Sequence, residues 1–283
     1  MRPSRYRGSV IRSVDIDDTT MRALERHETR AHAIPGREVR DLGHAVVLHD
    51  HLDADPFWNR MASVRWPDDA EGFDRRLTEA LALFASLGRR PHVWPSPVHC
   101  RPVNLASRLE AHGFKAFGSG HVMVLDDPAG SPPVRAGEPG HGITLHAIRT
   151  AADAGATDCD DLGAVLAESF GALPGRAHQL AADLRITLDD PRVVLVLVRV
   201  NGEPAASAKA TTFDGFTYLS SIGTRATFRG RGLAGLATRH AMAGAGSAGR
   251  TYLGVFSDNE PALRLYTRLG FASVGESPDM LLG

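Results

Sequence analysis

The chain has 283 residues, 43% of them apolar, with a formal net charge of −1 and a pI near 6.9. That length suits one large domain or two of about 140 residues, and the balanced charge excludes the basic stripe of a dedicated nucleic-acid binder. The two cysteines, Cys100 and Cys159, give neither a metal spacing nor a disulfide framework.

A reducing cytoplasm fits. Met1-Arg-Pro-Ser-Arg-Tyr-Arg7 is basic but no apolar signal core follows it, so export is not expected. The longest aliphatic run, Val193 to Val198, is far too short to span a bilayer. Lysine occurs only at Lys115 and Lys209, a composition bias in which arginine carries the positive charge.

In chain order, Thr19 to Arg30 predicts a helix with Met21, Leu24 and His27 on one side. Leu42 to Leu48 predicts a strand, and the stretch from Pro56 to Trp66 one or two more. Glu71 to Leu87 carries a helical stripe at Phe73, Leu77, Ala80, Leu81, Phe84 and Leu87, stopped by Gly88. A short strand at His92 to Pro95 and a helix at Val103 to His112 follow, and closing strands run from Gly113 to Leu125. Asp126 to Gly140 concentrates proline, glycine and charge and reads as a linker. Ile143 to Ile148 starts a new sheet. Helices are predicted at Asp158 to Phe170 and Ala177 to Leu184, and a strand at Val193 to Val200. Asn201-Gly202 makes a hairpin turn into Pro204 to Thr212. Asp214-Gly215 makes another, into Phe216 to Gly223.

His49 and His51 would share one strand face and His44 would point away from it, the pattern of surface histidines. Trp58, Trp66 and Trp94 read as core.

After that strand comes Arg229-Gly-Arg-Gly-Leu-Ala234, then a helix with Leu233, Leu236, Ala237, His240 and Ala241 at helical spacing. Gly230 and Gly232 remove the Cβ atoms that would keep a ligand from the backbone. The orphan N–H groups and dipole of the helix start favour an anion, and two arginines add full charges. No Gly-Lys-Ser/Thr follows, so this is no Walker loop, and the spacing is not that of a dinucleotide fingerprint. A second stretch, Asn259-Glu-Pro-Ala-Leu-Arg-Leu-Tyr-Thr-Arg-Leu-Gly-Phe271, predicts a helix capped by Asp258 or Asn259 and ended by Gly270.

The loop Arg-x-x-Gly-x-Ala and the helix Asn-x-x-Ala-x-x-Leu-Tyr-x-x-Leu-Gly-Phe, in this order, resemble the coenzyme A loop and the following helix of GNAT acyl-CoA N-acyltransferases. The resemblance covers roughly residues 143–283. It implies that main-chain groups from Arg229 through Gly230, Arg231, Gly232, Leu233 and Ala234 to Gly235 hold the diphosphate of acetyl-CoA. It also implies that Ile222, Gly223 and Thr224 bind the pantetheine arm on a strand splayed from its neighbour, and that Asn259 meets the cofactor. Tyr266 is then the general acid that protonates the leaving thiolate, and no metal is called for.

The base is left open. The strand that often carries a glutamate in the family has none here, and Glu168, Asp214 or a water held by Ser220 or Ser221 are the alternatives, while an amine delivered already neutral would need no base. The acceptor is expected between the helices of residues 158–184 and the splayed strands, with the loop Phe170 to His178 as its wall and the first domain contributing another. A small-molecule amine is the expected partner of a monomer or homodimer, with a protein amine or a non-catalytic acyl-CoA sensor as alternatives. Nucleic acid and membrane partners are not expected.

Leu109 to Gly118 aligns without gaps on Tyr266 to Gly275, and Met123 and Leu125 fall on Met280 and Leu282. Two copies of one fold follow. Leu109 stands where Tyr266 stands, Pro102 where Asn259 stands, and Gly72 to Leu77, preceded by acids, where the glycine loop stands. The first copy thus resembles a degenerate GNAT-like domain. The expected architecture is α/β (α+β): a domain at 1–126, a linker at 127–142 and a catalytic domain at 143–283. Each domain is a mixed, mostly antiparallel sheet flanked by helices.

Overall fold

The computed structural model describes residues 11–125, 140–172, 175–246 and 249–283. The expected linker therefore lies almost wholly outside the described residues, as does the basic N-terminal heptapeptide.

The first half runs α1 (Asp18–Ala33), β1 (Glu38–Asp41), β2 (Val46–His49), β3 (Arg60–Ala62), α2 (Ala70–Ser86), β4 (His92–Val93), α3 (Leu105–Ala111) and β5 (Phe114–Leu125). The second runs β6 (Ile143–Ile148), α4 (Asp158–Ser169), α5 (Arg176–Ile186), β7 (Val193–Val200), β8 (Glu203–Phe213), β9 (Phe216–Thr224), α6 (Leu233–Ala245), β10 (Arg250–Phe256), α7 (Glu260–Arg268) and β11 (Phe271–Leu282). Most of the predicted elements are found within a few residues of their expected bounds. Asp17 caps α1 by accepting from Thr20 N at 2.7 Å, and Asn201 takes the left-handed φ of +52° that the hairpin turn requires.

All strands join one mixed sheet in the order β1-β2-β3-β4-β11-β5-β10-β9-β8-β7-β6. The closing strands are thus exchanged. β5, from the first half, lies between β10 and β11, and β11, from the second, lies between β4 and β5. The sequence reading gave each half its own closing strands, and here the structure corrects it. An alternating strand specifies which face it buries, not which neighbour it takes. The exchange also crosses the cores. Met123 and Leu125 of β5 are buried with Leu263, Tyr266 and Phe271, while Met280 of β11 is buried with Phe73, Phe84 and Leu109.

The central pair carries the repeat. Ser119 Oγ donates to Glu276 Oε1 at 2.9 Å, across a separation of 157 residues, and Gly120 stands opposite Ser277 at the same separation. Equivalent positions therefore meet, which places a local two-fold axis between β5 and β11. The same offset carries β1 onto β7, β2 onto β8, β3 onto β9 and α3 onto α7.

α1 packs its buried histidines against the second half. His27 Nδ1 is 2.8 Å from the Tyr252 hydroxyl, and His32 Nε2 is 3.2 Å from the Tyr218 hydroxyl. Trp66 is buried as expected, whereas Trp58 and Trp94 are only half-buried, with the guanidinium groups of Arg37 and Arg60 over their rings at 3.8 and 4.0 Å. His49 and His51 come together with Glu38, their ligand-type atoms within 4.8 Å of one another, and His44 is not in the group. Arg40 bonds both Glu38 oxygens, and His49 Nδ1 meets Asn59 Oδ1 at 2.8 Å. Among the described residues no helix is long and apolar enough to cross a membrane.

Two expectations follow. A chain of residues 143–283 alone lacks β5, so β10 and β11 lose their shared partner. It should show no cooperative unfolding by circular dichroism, or elute as an oligomer, and a folded monomeric half would contradict the exchange. Second, burial pushes His27, His32 and His92 each down to about 4, while unfolded histidine titrates near 6.5. Between those values the unfolded chain binds more protons, so stability should fall as pH drops from about 6.5 towards 4. Urea unfolding at pH 7 and pH 5 checks the sign.

Candidate active site

β9 and β10 run parallel and pair from Phe216 with Arg250 to Leu219 with Leu253. Beyond that they part. β9 stays on β8 as far as Thr224, and β10 stays on β5 as far as Phe256. The inner edges of Ser220–Thr224 and Gly254–Phe256 therefore face a wedge-shaped gap instead of each other. The hydroxyls of Ser220, Thr224 and, on α4, Ser169 are buried near this gap without hydrogen-bond partners among the described residues. Gly223 is required by packing. A Cβ there would lie 2.7 Å from Ser169 Oγ and 2.8 Å from its Cβ.

β9 leads through a short 3-10 turn (Ala226–Phe228) into the glycine loop. Gly230 and Gly232 have φ of +77° and +76°, a conformation that disfavours any side chain, and a Cβ at either would point into open space. Gly232 is the N-cap of α6 and offers no capping side chain, so the helix's first N–H groups stay exposed to the loop. Arg229 and Arg231 are exposed. Arg229 Nε donates to Thr224 O at 3.2 Å, and Arg231 lies 5.9 Å over the Phe228 ring. Leu233 and Gly235 are buried, so they offer main chain only, while Ala234 is half-buried. This loop fits a diphosphate: an uncapped helix start, an open glycine surface and two exposed arginines.

Tyr266 is 6% exposed, with its ring 6.1 Å from that of Phe271. Its hydroxyl has no hydrogen-bond partner among the described residues. Burial raises its pKa far above the ordinary phenol value, which keeps it protonated. Asn259 is exposed and accepts from Ala262 N at 3.3 Å, so its carbonyl oxygen caps α7 and its amide nitrogen is left for other contacts.

Two of the alternatives for the base, Glu168 and Asp214, are engaged elsewhere. Glu168 accepts from Arg225 Nε at 2.6 Å and from Ala226 N at 2.8 Å, and these bonds hold its carboxyl below the usual range. Asp214 pairs with Arg30 at 2.7 Å on the exposed edge of the turn before β9.

A small cavity lies where the acceptor was expected, between α4, α5 and β9. First-half residues His32, Arg37 and Trp58 close it. A wall from the first half was expected, but which of its residues form that wall depends on how the two halves dock. Parts of the Phe170–His178 loop lie outside the described residues.

A parted pair of parallel strands is thus followed in the chain by an uncapped, glycine-lined helix start and a buried phenol. Residues 162–271 match the Acetyltransferase (GNAT) family. Among solved structures, the chain is similar to a GCN5-related N-acetyltransferase from Kribbella flavida, at 20% identity and a TM-score of 0.67 over 95% of this chain and 96% of that one. It is also similar to a GCN5-related N-acetyltransferase from Sphaerobacter thermophilus, at 18% identity and a TM-score of 0.60 over 94% and 93%. A tandem GNAT protein from the clavulanic acid biosynthesis pathway follows at 16% and 0.55 over 76% and 71%. At such identities the likeness is one of fold. No curated protein matches the chain.

The close approach of α4 to β9 is testable. Gly223→Ala should cost about 1–3 kcal/mol in urea unfolding, the usual range for overpacking. Adding Ser169→Gly should recover most of it. A Gly223→Ala protein as stable as the parent would show that α4 does not press on β9 at that point.

Proposed function

We propose that the protein is an N-acetyltransferase that moves an acetyl group from acetyl-CoA to a primary amine of a small molecule. The observation that carries this reading is the gap between β9 and β10, which ends at an uncapped helix start and lies close to a buried, protonated phenol. Bound there, acetyl-CoA supplies an activated acyl group as a thioester.

The chain's own residues supply the rest. Main-chain N–H groups from Arg229 to Gly235 hold the diphosphate, with Arg229 and Arg231 adding charge. The unpaired inner edge at Ile222, Gly223 and Thr224 holds the pantetheine arm, and an N–H from it polarises the carbonyl. Asn259 contributes its free amide to the carrier. Tyr266, kept neutral by its surroundings, gives its proton to the departing sulfur. The first half is a GNAT-like copy without a carrier site of its own, and the enzyme works as a cytoplasmic monomer or homodimer.

Calorimetry should detect acetyl-CoA binding, and a thiol reagent should detect CoA release with members of a primary-amine panel. Tyr266→Phe should bind acetyl-CoA as the parent does and lose about 10²–10⁴-fold in kcat, the usual worth of a general acid. Full turnover in that variant would remove Tyr266 from the chemistry, and binding without CoA release across the panel would favour a sensor.

A further inference from the structure

The cavity between the halves holds about 40 Å³. That is room for about three waters at roughly 10–15 Å³ each. Among its lining residues is Lys209 of β8, one of two lysines in the chain and 7% exposed. Lys115, the other, is exposed. Among the described residues Lys209 has neither an ion-pair nor a hydrogen-bond partner. Asp183, the acid that lines the cavity, is taken by Arg37, whose Nε also holds Asp50 at 2.8 Å. His32 faces the same space, its Nε2 3.0 Å from Glu28, which in turn pairs with Arg60 at 2.6 Å. No free carboxylate is left for Lys209. A buried, unpaired ammonium is costly and a neutral amine is not. Burial, reinforced by the charge of Arg37 and opposed by Asp183, pushes Lys209 down to about 8.

Its place in the sheet is as telling. Lys209 is the cross-strand partner of Ser220, and the β8–β9 register slips between Ser207 and Lys209. On β9 the slip is taken up at Ser221, a non-glycine residue with φ of +52°. Ser221 also lines the cavity. The cavity therefore reaches β9 one residue before Ile222, where the edge facing the gap is unpaired. A lysine otherwise out of place is thus set beside the proposed acyl site.

We propose that Lys209 is the proton acceptor of this enzyme, taking a proton from the acceptor's ammonium group directly or through a cavity water. This rests on the acetyltransferase reading above. The acceptor ammonium gives one proton to Nζ, which passes it to solvent. The neutral amine forms its bond to the carbonyl carbon as the carbon–sulfur bond breaks. The thiolate takes the Tyr266 proton, a second proton from the adduct nitrogen restores the phenol, and the third stays on the amide. One proton is released overall, and nothing is oxidised or reduced.

Protein labelled with carbon-13 only at lysine Cε gives two lines to follow by NMR, with Lys115 as internal reference. The Lys209 line should titrate roughly two units below the ordinary lysine value of about 10.4 and move when acetyl-CoA is added. Lys209 titrating at the ordinary lysine value, or failing to respond to bound acetyl-CoA, overturns the proposal. In turnover with the panel amines, Lys209→Met and Lys209→Arg should both lose about 10²–10⁴-fold in kcat with unchanged acetyl-CoA affinity. The Arg variant keeps the charge but cannot deprotonate, so a structural role would spare it. A Met variant at the parental rate overturns the proposal. If calorimetry shows no acetyl-CoA binding to the unaltered protein, the acetyltransferase reading itself falls, whatever the titration of Lys209.

Discussion

The antiparallel pairing of β5 with β11 is the constraint on which the rest of this molecule turns. Two neighbouring parallel strands left to themselves would continue their ladder, since every buried N–H and C=O seeks a partner. β9 and β10 can part only because each is held from its other side. β8 holds β9 through Thr224, and β5 holds β10 through Phe256. The strand that keeps the wedge open thus comes from the other half of the chain. A first half without a glycine loop is therefore no passenger: it supplies a wall of the sheet.

Docking the halves also buries charge. Arg37 pairs with Asp50 of its own half and with Asp183 of α5, and Arg60, Glu28 and His32 form a chain that ends at the Tyr218 hydroxyl on β9. Buried pairs of this kind recover much of their desolvation cost but add little net stability. Their effect here is positional. Asp183 is neutralised by Arg37 and Glu28 by Arg60, so the space beside β9 is lined by charges already spent, and among the charged groups that line the cavity Lys209 alone stands without a counter-ion.

Much of this was legible in the sequence because it rests on local rules. The stripe from Phe73 to Phe84, the Asn201-Gly202 turn, the Asn259 cap and the glycines at 230 and 232 each follow from a few neighbouring residues. The offset between Leu109–Gly118 and Tyr266–Gly275 is local too, and the meeting of Gly120 with Ser277 across the central pair fits it. What was not legible is what depends on partners far along the chain. Nothing in Phe114–Leu125 says that it will lie beside Tyr252 and Leu253, and nothing in Lys209 distinguishes it from a solvated strand lysine until α1, α5 and Trp58 close over it. The scarcity of lysine was visible, but a composition bias explains Lys115 equally well.

The starts of α2 and α6 also show how small a change separates the proposed carrier site from a structural helix. With the offset of the repeat, Leu233 at the start of α6 corresponds to Arg76, yet α2 has already begun at Ala70. The glycine loop has no counterpart there because those residues have been wound into the helix. The ends differ in chemistry as well. Asp69 caps α2 by accepting from Gly72 N at 2.7 Å, and Glu71 sits in the first turn, so the orphan donors and the positive end of the dipole are met by the chain's own carboxylates. At α6 the cap is Gly232, no carboxylate follows, and two arginines flank the turn. An anion is excluded at one end by the acids already there and is invited at the other by donors left unmet. The two helix starts thus differ, within a few residues, in how they meet an anion, while the strand exchange obliges the chain to keep both halves.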